Sequence, residues 1–141
     1  MRRGLTIVEL VLVCTFVGLV AGIAIPRAAT MLDAVRLQQA SREVAGALRL
    51  ARAAAIRRPG YARLILDEAV GEVRVEIDTD TLHRRDLSGL HRVTLRASRD
   101  TIIYAPSGLG YGIANSTIVV SIGARAETLT VSRLGRVRKS Y

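Results

Sequence analysis

At 141 residues the chain has room for one modest domain beyond a membrane segment and no more. Its single cysteine, Cys14, excludes an intrachain disulfide. The formal net charge of +9 is compatible with nucleic acid or acidic lipid headgroups, but Lys139 is the one lysine among 21 basic side chains, so the charge is partly arginine-biased composition and supports DNA binding only weakly.

The chain opens on a short basic leader, Met1-Arg2-Arg3-Gly4, and an apolar run from Leu5 to Ile25 that Pro26 closes. As a helix that run spans roughly 31 Å, close to the hydrocarbon core of a bilayer. Arg2 and Arg3 flank its start and set the topology, with the leader cytoplasmic and everything after Pro26 on the far side. Glu9 is the exception within the run. A carboxylate in a membrane helix costs about 2.5 to 3.5 kcal/mol on insertion scales, so it points to a function with a partner. An α-amine at Leu5, created by cutting after Gly4, would sit one helical turn away, and a neighbouring subunit could offer the same charge. The bland alternative is a signal anchor whose glutamate lies near the headgroups. A cleaved secretory signal fits less well, because the small residue precedes the apolar run here.

Gly4-Leu5-Thr6-Ile7-Val8-Glu9-Leu10 resembles the prepilin motif of type IV pilins and type II secretion pseudopilins. The resemblance implies that a dedicated membrane peptidase cuts after Gly4 and methylates Leu5, and that Glu9 recruits the subunit to a growing filament by meeting a neighbour's N-terminal amine. The family commonly has Phe where this chain has Leu5, and the apolar character is kept. Loss of Arg2 and Arg3 with the leader lowers the charge from +9 to +7. Gly18 and Gly22 form a small-xxx-small pair that would let helices approach closely in lipid. Gly22 and Pro26 together weaken the hydrogen-bond ladder, and the resemblance implies a bend or loosening there on assembly.

Residues 27–58 change to alanine, leucine, arginine and glutamine, all strong helix formers. Leu37, Val44, Leu48, Ala51 and Ala55 recur at helical spacing, while Arg42, Arg49 and Arg52 stand off that stripe and read as a solvated face. Pro59-Gly60 ends the helix. The period then becomes two. Residues 61–66, 72–77, 93–96, 101–104, 117–122 and 128–131 read as strands, with a hairpin at Asp67 to Gly71 and a long polar loop from Asp78 to Gly89.

Three later stretches narrow the resemblance. Residues 49–58 before a strand, Ile103-Tyr104-Ala105-Pro106-Ser107-Gly108, and Leu129 to Arg138 are similar to the minor pseudopilin H and FimT-like minor pilin family. The loop from Asp78 to Gly89 has no counterpart there, and the tryptophan often found between that family's first strands is absent.

Other chemistry is thin. Gly108, Gly110 and Gly112 make a glycine-rich loop, but a strand follows where a phosphate-binding turn needs a helix, so a flexible hairpin loop is expected. His83 and His91 read as solvated, without metal-ligand spacing. Asp78, Asp80 and Asp86 could meet at a cation only if their loop folded back. No catalytic residues, cofactor or metal site is expected, and the chain does not read as an enzyme. The remaining stretch is Arg133, Arg136, Arg138 and Lys139. Arg136 and Arg138 alternate with Val137, so on an extended segment they point the same way and could straddle phosphates. The FimT-like resemblance implies DNA contact by a Gly-Arg-x-Arg motif, which Gly135-Arg136-Val137-Arg138 fits, with Lys139 beside it. A basic edge strand guarded against aggregation is the structural alternative.

The expected architecture is α+β: a leader (1–4), a transmembrane and assembly helix (5–26), an amphipathic helix (27–58) and an extracytoplasmic β domain (59–141), the long N-terminal helix being packed on a small antiparallel sheet. The expected protein is a minor pilin-like subunit of a type II secretion pseudopilus or type IV pilus. It would be held once through the bacterial inner membrane, with other pilin-like subunits, the prepilin peptidase and the inner-membrane platform as partners. A DNA-binding minor pilin for DNA uptake is the alternative.

Overall fold

The computed structural model describes residues 6–58, 60–112 and 115–140. Gly4, Leu5, Pro59 and Tyr141, named above or at the chain end, lie outside the described residues. One helix, α1 (Ile7–Arg57), runs through both predicted helical segments without a break in assignment, Pro26 included. Pro26 has no N–H to donate to the carbonyl of Gly22 four residues back, so one rung of the ladder is lost there even though the helical path continues.

The chain divides into two compact units, Met1–Ala34 and Val35–Tyr141. In the first, apolar side chains face outward all along α1: Ile7, Val8, Leu12, Phe16 and Leu19 are each more than 60 % exposed. The most apolar 18-residue window has mean hydropathy 2.5 and none of it is buried, which is the length and composition of a membrane-crossing helix. Cys14 is exposed on this segment as a free thiol.

Among the described residues, the second unit holds the rest of α1, nine strands and a short helix. Its helical stripe is Leu37, Ala40, Val44, Leu48, Ala51 and Ala55, all buried and spaced by three or four residues, so a single face meets the core. The strands are β1 (Ala62–Asp67), β2 (Glu72–Ile77), β3 (Asp80–Asp86), β4 (Thr94–Ala97), β5 (Thr101–Tyr104), β6 (Gly110–Tyr111), β7 (Ser116–Ile122), β8 (Arg125–Val131) and β9 (Val137–Ser140), with α2 (Leu87–His91) between β3 and β4. They form two antiparallel sheets rather than one, ordered β3-β2-β1-β5-β6 and β4-β7-β8-β9. One buried cluster takes in the α1 stripe, Leu64, Val75 and Tyr104 of the first sheet and Leu95, Ile118 and Leu129 of the second.

The six predicted strands are present, and the turn after β1 has its expected chemistry: the Asp67 carboxylate accepts the N–H groups of Ala69 (3.0 Å) and Val70 (3.3 Å), and Gly71 takes φ 66°. The expected polar loop from Asp78 to Gly89 is a correction. It holds a tight turn, the whole of β3 and the start of α2, with Ile77 opposite Asp80 and Glu72 opposite Asp86. β3 lies at a sheet edge with only His83 half-buried, so Asp-Thr-Leu-His-Arg-Arg-Asp carries none of the apolar alternation that betrays a strand with one dry face.

Candidate functional site

Two places carry the residues singled out in the sequence, and each belongs to its own unit. At the start of α1, the Thr6 hydroxyl accepts the N–H of Glu9 (3.3 Å) and the Thr6 carbonyl accepts that of Leu10 (3.1 Å). Thr6 is therefore the helix cap and Glu9 the third helical residue, a Thr-x-x-Glu arrangement. The carboxylate stands in the first turn, where the helix dipole favours negative charge. Gly4 and Leu5, the expected processing residues, fall outside the described chain. Further along, nothing stands within 4 Å of the space beside Gly18 or Gly22, leaving both open to a neighbouring helix.

The second place is the C-terminal strand. Among the described residues β9 pairs only with β8, setting Arg138 opposite Thr130 and Lys139 opposite Leu129, and it forms the edge of its sheet. Arg136 and Arg138 are exposed, while Val137 and Lys139 are half-buried. Lys139 therefore parts company with the two arginines: it faces α1, and its Nζ lies 2.7 Å from Oε2 of Glu127, a carboxylate only 8 % exposed. Val137 and Lys139 share a cleft with Gln38, Ser41, Arg42 and Arg49 of α1.

The turn that feeds β9 is built from residues the sequence did not reveal. Gly135 N–H donates to the Ser132 carbonyl (2.8 Å), Ser132 N–H to the Arg136 carbonyl (2.9 Å), and Arg136 N–H to the Ser132 hydroxyl (3.3 Å). Gly110 N–H, from the neighbouring glycine loop, donates to the Arg133 carbonyl at 3.0 Å. Gly135 adopts φ 72°, and a Cβ on it would stand 3.1 Å from the Gly108 carbonyl oxygen and 3.2 Å from Arg52 Nε. Gly108, at φ 74°, is likewise closed in by Ile56 and Arg52. The loop expected to be flexible is thus fastened by a hydrogen bond to the turn and by close packing on α1. Arg52 is a further correction, since its Nε is buried and without a hydrogen-bond partner among the described residues. Arg42 and Arg49 are exposed, as expected. Beside Arg52 lies Tyr104, 1 % exposed, with a buried and unpartnered hydroxyl. Burial raises its phenol above the ordinary value, and the Arg52 guanidinium pulls it partway back.

The other candidate groups disperse. His91 is not solvated: its Nε2 lies 3.1 Å from Oε1 of Glu43 on α1, and its side chain is 12 % exposed. Asp86 caps α2 by accepting the Gly89 N–H at 2.7 Å, Asp80 pairs with Arg58 at 3.4 Å, and no group of three or more metal-ligating side chains gathers among the described residues.

A long N-terminal helix, apolar and exposed in its first part and buried along one face in its second, carried by a domain of two antiparallel sheets, is a type IV pilin-like fold. Two crystal forms of the type IV minor pilin FimU from Pseudomonas aeruginosa share it, with TM-scores of 0.65 and 0.62 at 15 % and 14 % identity, covering 74 % of this chain and 88 % and 93 % of theirs. In sequence the chain is 28 % identical to the pilin-like protein PilA1 of Thermus thermophilus over an alignment of 154 positions, covering 97 % of both. No family model matches the chain.

Proposed function

We propose that this chain is a minor pilin-like structural subunit, not an enzyme, that is built into a type IV pilus or a type II secretion pseudopilus through its N-terminal helix. The observation that carries this reading is Glu9, held in the first turn of a capped, outward-facing apolar helix directly after Gly4 and Leu5. In this reading the prepilin peptidase cuts after Gly4 and Leu5 is methylated. Until assembly the subunit sits once through the inner membrane, with its β domain outside the cytoplasm. Glu9 then meets the α-amine of a neighbouring pilin-like subunit, which removes the cost of a lone carboxylate among apolar helices. Gly22 and Pro26 supply the weak point in the helix, and the platform machinery drives extraction. The resemblance of residues 129–138 to H-type minor pseudopilins supports a minor rather than a major component.

The test is made in cells that assemble the filament. Replacing Gly4 by valine should leave the leader attached, seen by intact mass as four extra residues and no N-methyl group. Glu9→Gln should mature normally yet be lost from the sheared filament fraction. Normal maturation of the Gly4 variant, or wild-type incorporation of Glu9→Gln, would sink the proposal.

A second reading, DNA capture during uptake, has its own observation: Arg138 on the edge strand β9 and Arg136 just before it are both exposed, and neither forms an ion pair among the described residues. Two planar guanidinium groups two residues apart suit successive backbone phosphates.

A further inference from the structure

The strand that bears Arg138, with Arg136 just before it, has a second charged flank. On α1, Gln38, Arg42, Ala45 and Arg49 fall at intervals of four, three and four residues and so form one stripe. That stripe is one wall of an open cleft of about 470 Å³, whose opposite wall is Leu129, Val137 and Lys139. Arg42 and Arg49 are exposed and pair with no carboxylate among the described residues. Lys139 is already matched by Glu127, so the two arginines leave the cleft with a surplus of two positive charges. Ser41 adds a buried hydroxyl that has no hydrogen-bond partner among the described residues.

The donor set defines the ligand class. Each guanidinium offers only N–H groups, in a planar fork that matches a phosphate or carboxylate. Arg42 and Arg49 are two turns apart, roughly 10.5 Å along the helix, and Arg136 and Arg138 are two residues apart, at most roughly 7 Å along the chain. Such spread-out cations do not converge on one small anion. They suit a chain that repeats its charge, and the open cleft lets such a chain enter from the side. Because Arg136 and Arg138 are exposed and Val137 and Lys139 turn to the cleft, the end of the chain carries two arginines away from the cleft and faces two more across it, none of them in an ion pair among the described residues.

We propose that the cleft between α1 and β9 is a second phosphate track for nucleic acid, in which Arg42 and Arg49 contact the backbone while Arg136 and Arg138 hold it from the other side of β9. The inference rests on the DNA-capture reading above and extends its site from the C-terminal motif to the helix.

The test is a titration of duplex DNA against the full chain in nonionic detergent, across salt concentrations, for wild type, Arg136→Ala/Arg138→Ala and Arg42→Gln/Arg49→Gln. Glutamine keeps the helix, and both replaced helix residues are exposed, so the β-sheet circular dichroism and the melting temperature should not change. The expected result is that each pair lowers the slope of log K against log salt by about two and weakens binding by one to two orders of magnitude at 0.1 M salt. If wild type does not bind, the DNA-capture reading and this extension fall together. If wild type binds and loss of Arg136 and Arg138 weakens it while the Arg42/Arg49 variant retains the full slope, the cleft is not a phosphate track and only the extension fails. Equal competition by polyglutamate of matched charge would also overturn the nucleic-acid assignment in favour of an acidic polypeptide.

Discussion

Gly135→Ala should cost about 2 to 3 kcal/mol of domain stability, and the structure separates two sources of that loss. The left-handed backbone alone disfavours alanine by roughly 1 to 2 kcal/mol. Gly123 isolates this part, since it has φ 56° and nothing within 4 Å of the position a Cβ would take, so Gly123→Ala should cost about 1 kcal/mol. At Gly135, φ 72°, the added methyl also meets the Gly108 carbonyl oxygen at 3.1 Å and Arg52 at 3.2 to 3.3 Å. The carbonyl belongs to a loop fastened to the same turn, so it gives way at the expense of packing. The assay is thermal melting of the full chain in detergent, followed by the β-sheet circular dichroism band, where 1 kcal/mol moves the midpoint by roughly 4 °C for a domain of this size. Midpoint losses of about 4 °C for Gly123→Ala and about 10 °C for Gly135→Ala are expected. Adding Arg52→Ala should shrink the Gly135 penalty toward that of Gly123, because the two sites share a contact. Equal losses at both glycines, or full additivity with Arg52→Ala, would refute the crowding argument.

Tyr104→Phe should cost less than about 1 kcal/mol at neutral pH, because the hydroxyl it removes is buried without a partner. The wild-type phenol titrates above its ordinary value in the folded state, so its contribution is fully present below pH about 10 and is lost as pH rises from there through the raised folded value. Melts taken from pH 8 to 11 should fall less steeply for the phenylalanine variant, and parallel profiles would contradict the assignment. Leu48→Ala, at a fully buried position, should cost about 2 to 5 kcal/mol, whereas Leu50→Ala, at a position 39 % exposed, should cost well under that. Similar melting midpoints for the two would mean that the α1 stripe is not the core face.

What could be read from the sequence was whatever repeats on one face. Leu37, Val44, Leu48, Ala51 and Ala55 announce a helix with a single dry side, and the alternation of Glu72 to Ile77 announces a strand with one wet side. β3 was hidden because an edge strand wet on both faces has no such period. The partition into two sheets was hidden because pairing is a choice among strands that individually look alike. At the C-terminus, the alternation of Arg136 and Arg138 with Val137 was legible, but the burial of Arg52 and the grip of Glu127 on Lys139 were not. The first depends on the Gly108 loop and the Gly135 turn closing over α1, the second on the pairing of β9 with β8, and no local pattern records either meeting. The Glu43 and His91 contact, 48 residues apart, escaped for the same reason. Gly135 was read as part of a motif, and its backbone angle adds the reason for a glycine there.

The outward-facing first half of α1 has an energetic consequence for any subunit that leaves a bilayer for a bundle of like helices. A lipid tail and a neighbouring leucine are nearly equivalent surroundings for Val8, Leu12 or Phe16, so the apolar area itself favours neither side of that exchange. Direction comes from the few groups to which the two media differ. These are the carboxylate of Glu9, the open notches at Gly18 and Gly22, and the Gly22 carbonyl that Pro26 leaves without its usual donor. In the proposed assembly the greasy majority makes the transfer nearly free, and this polar and small minority would determine which way it runs.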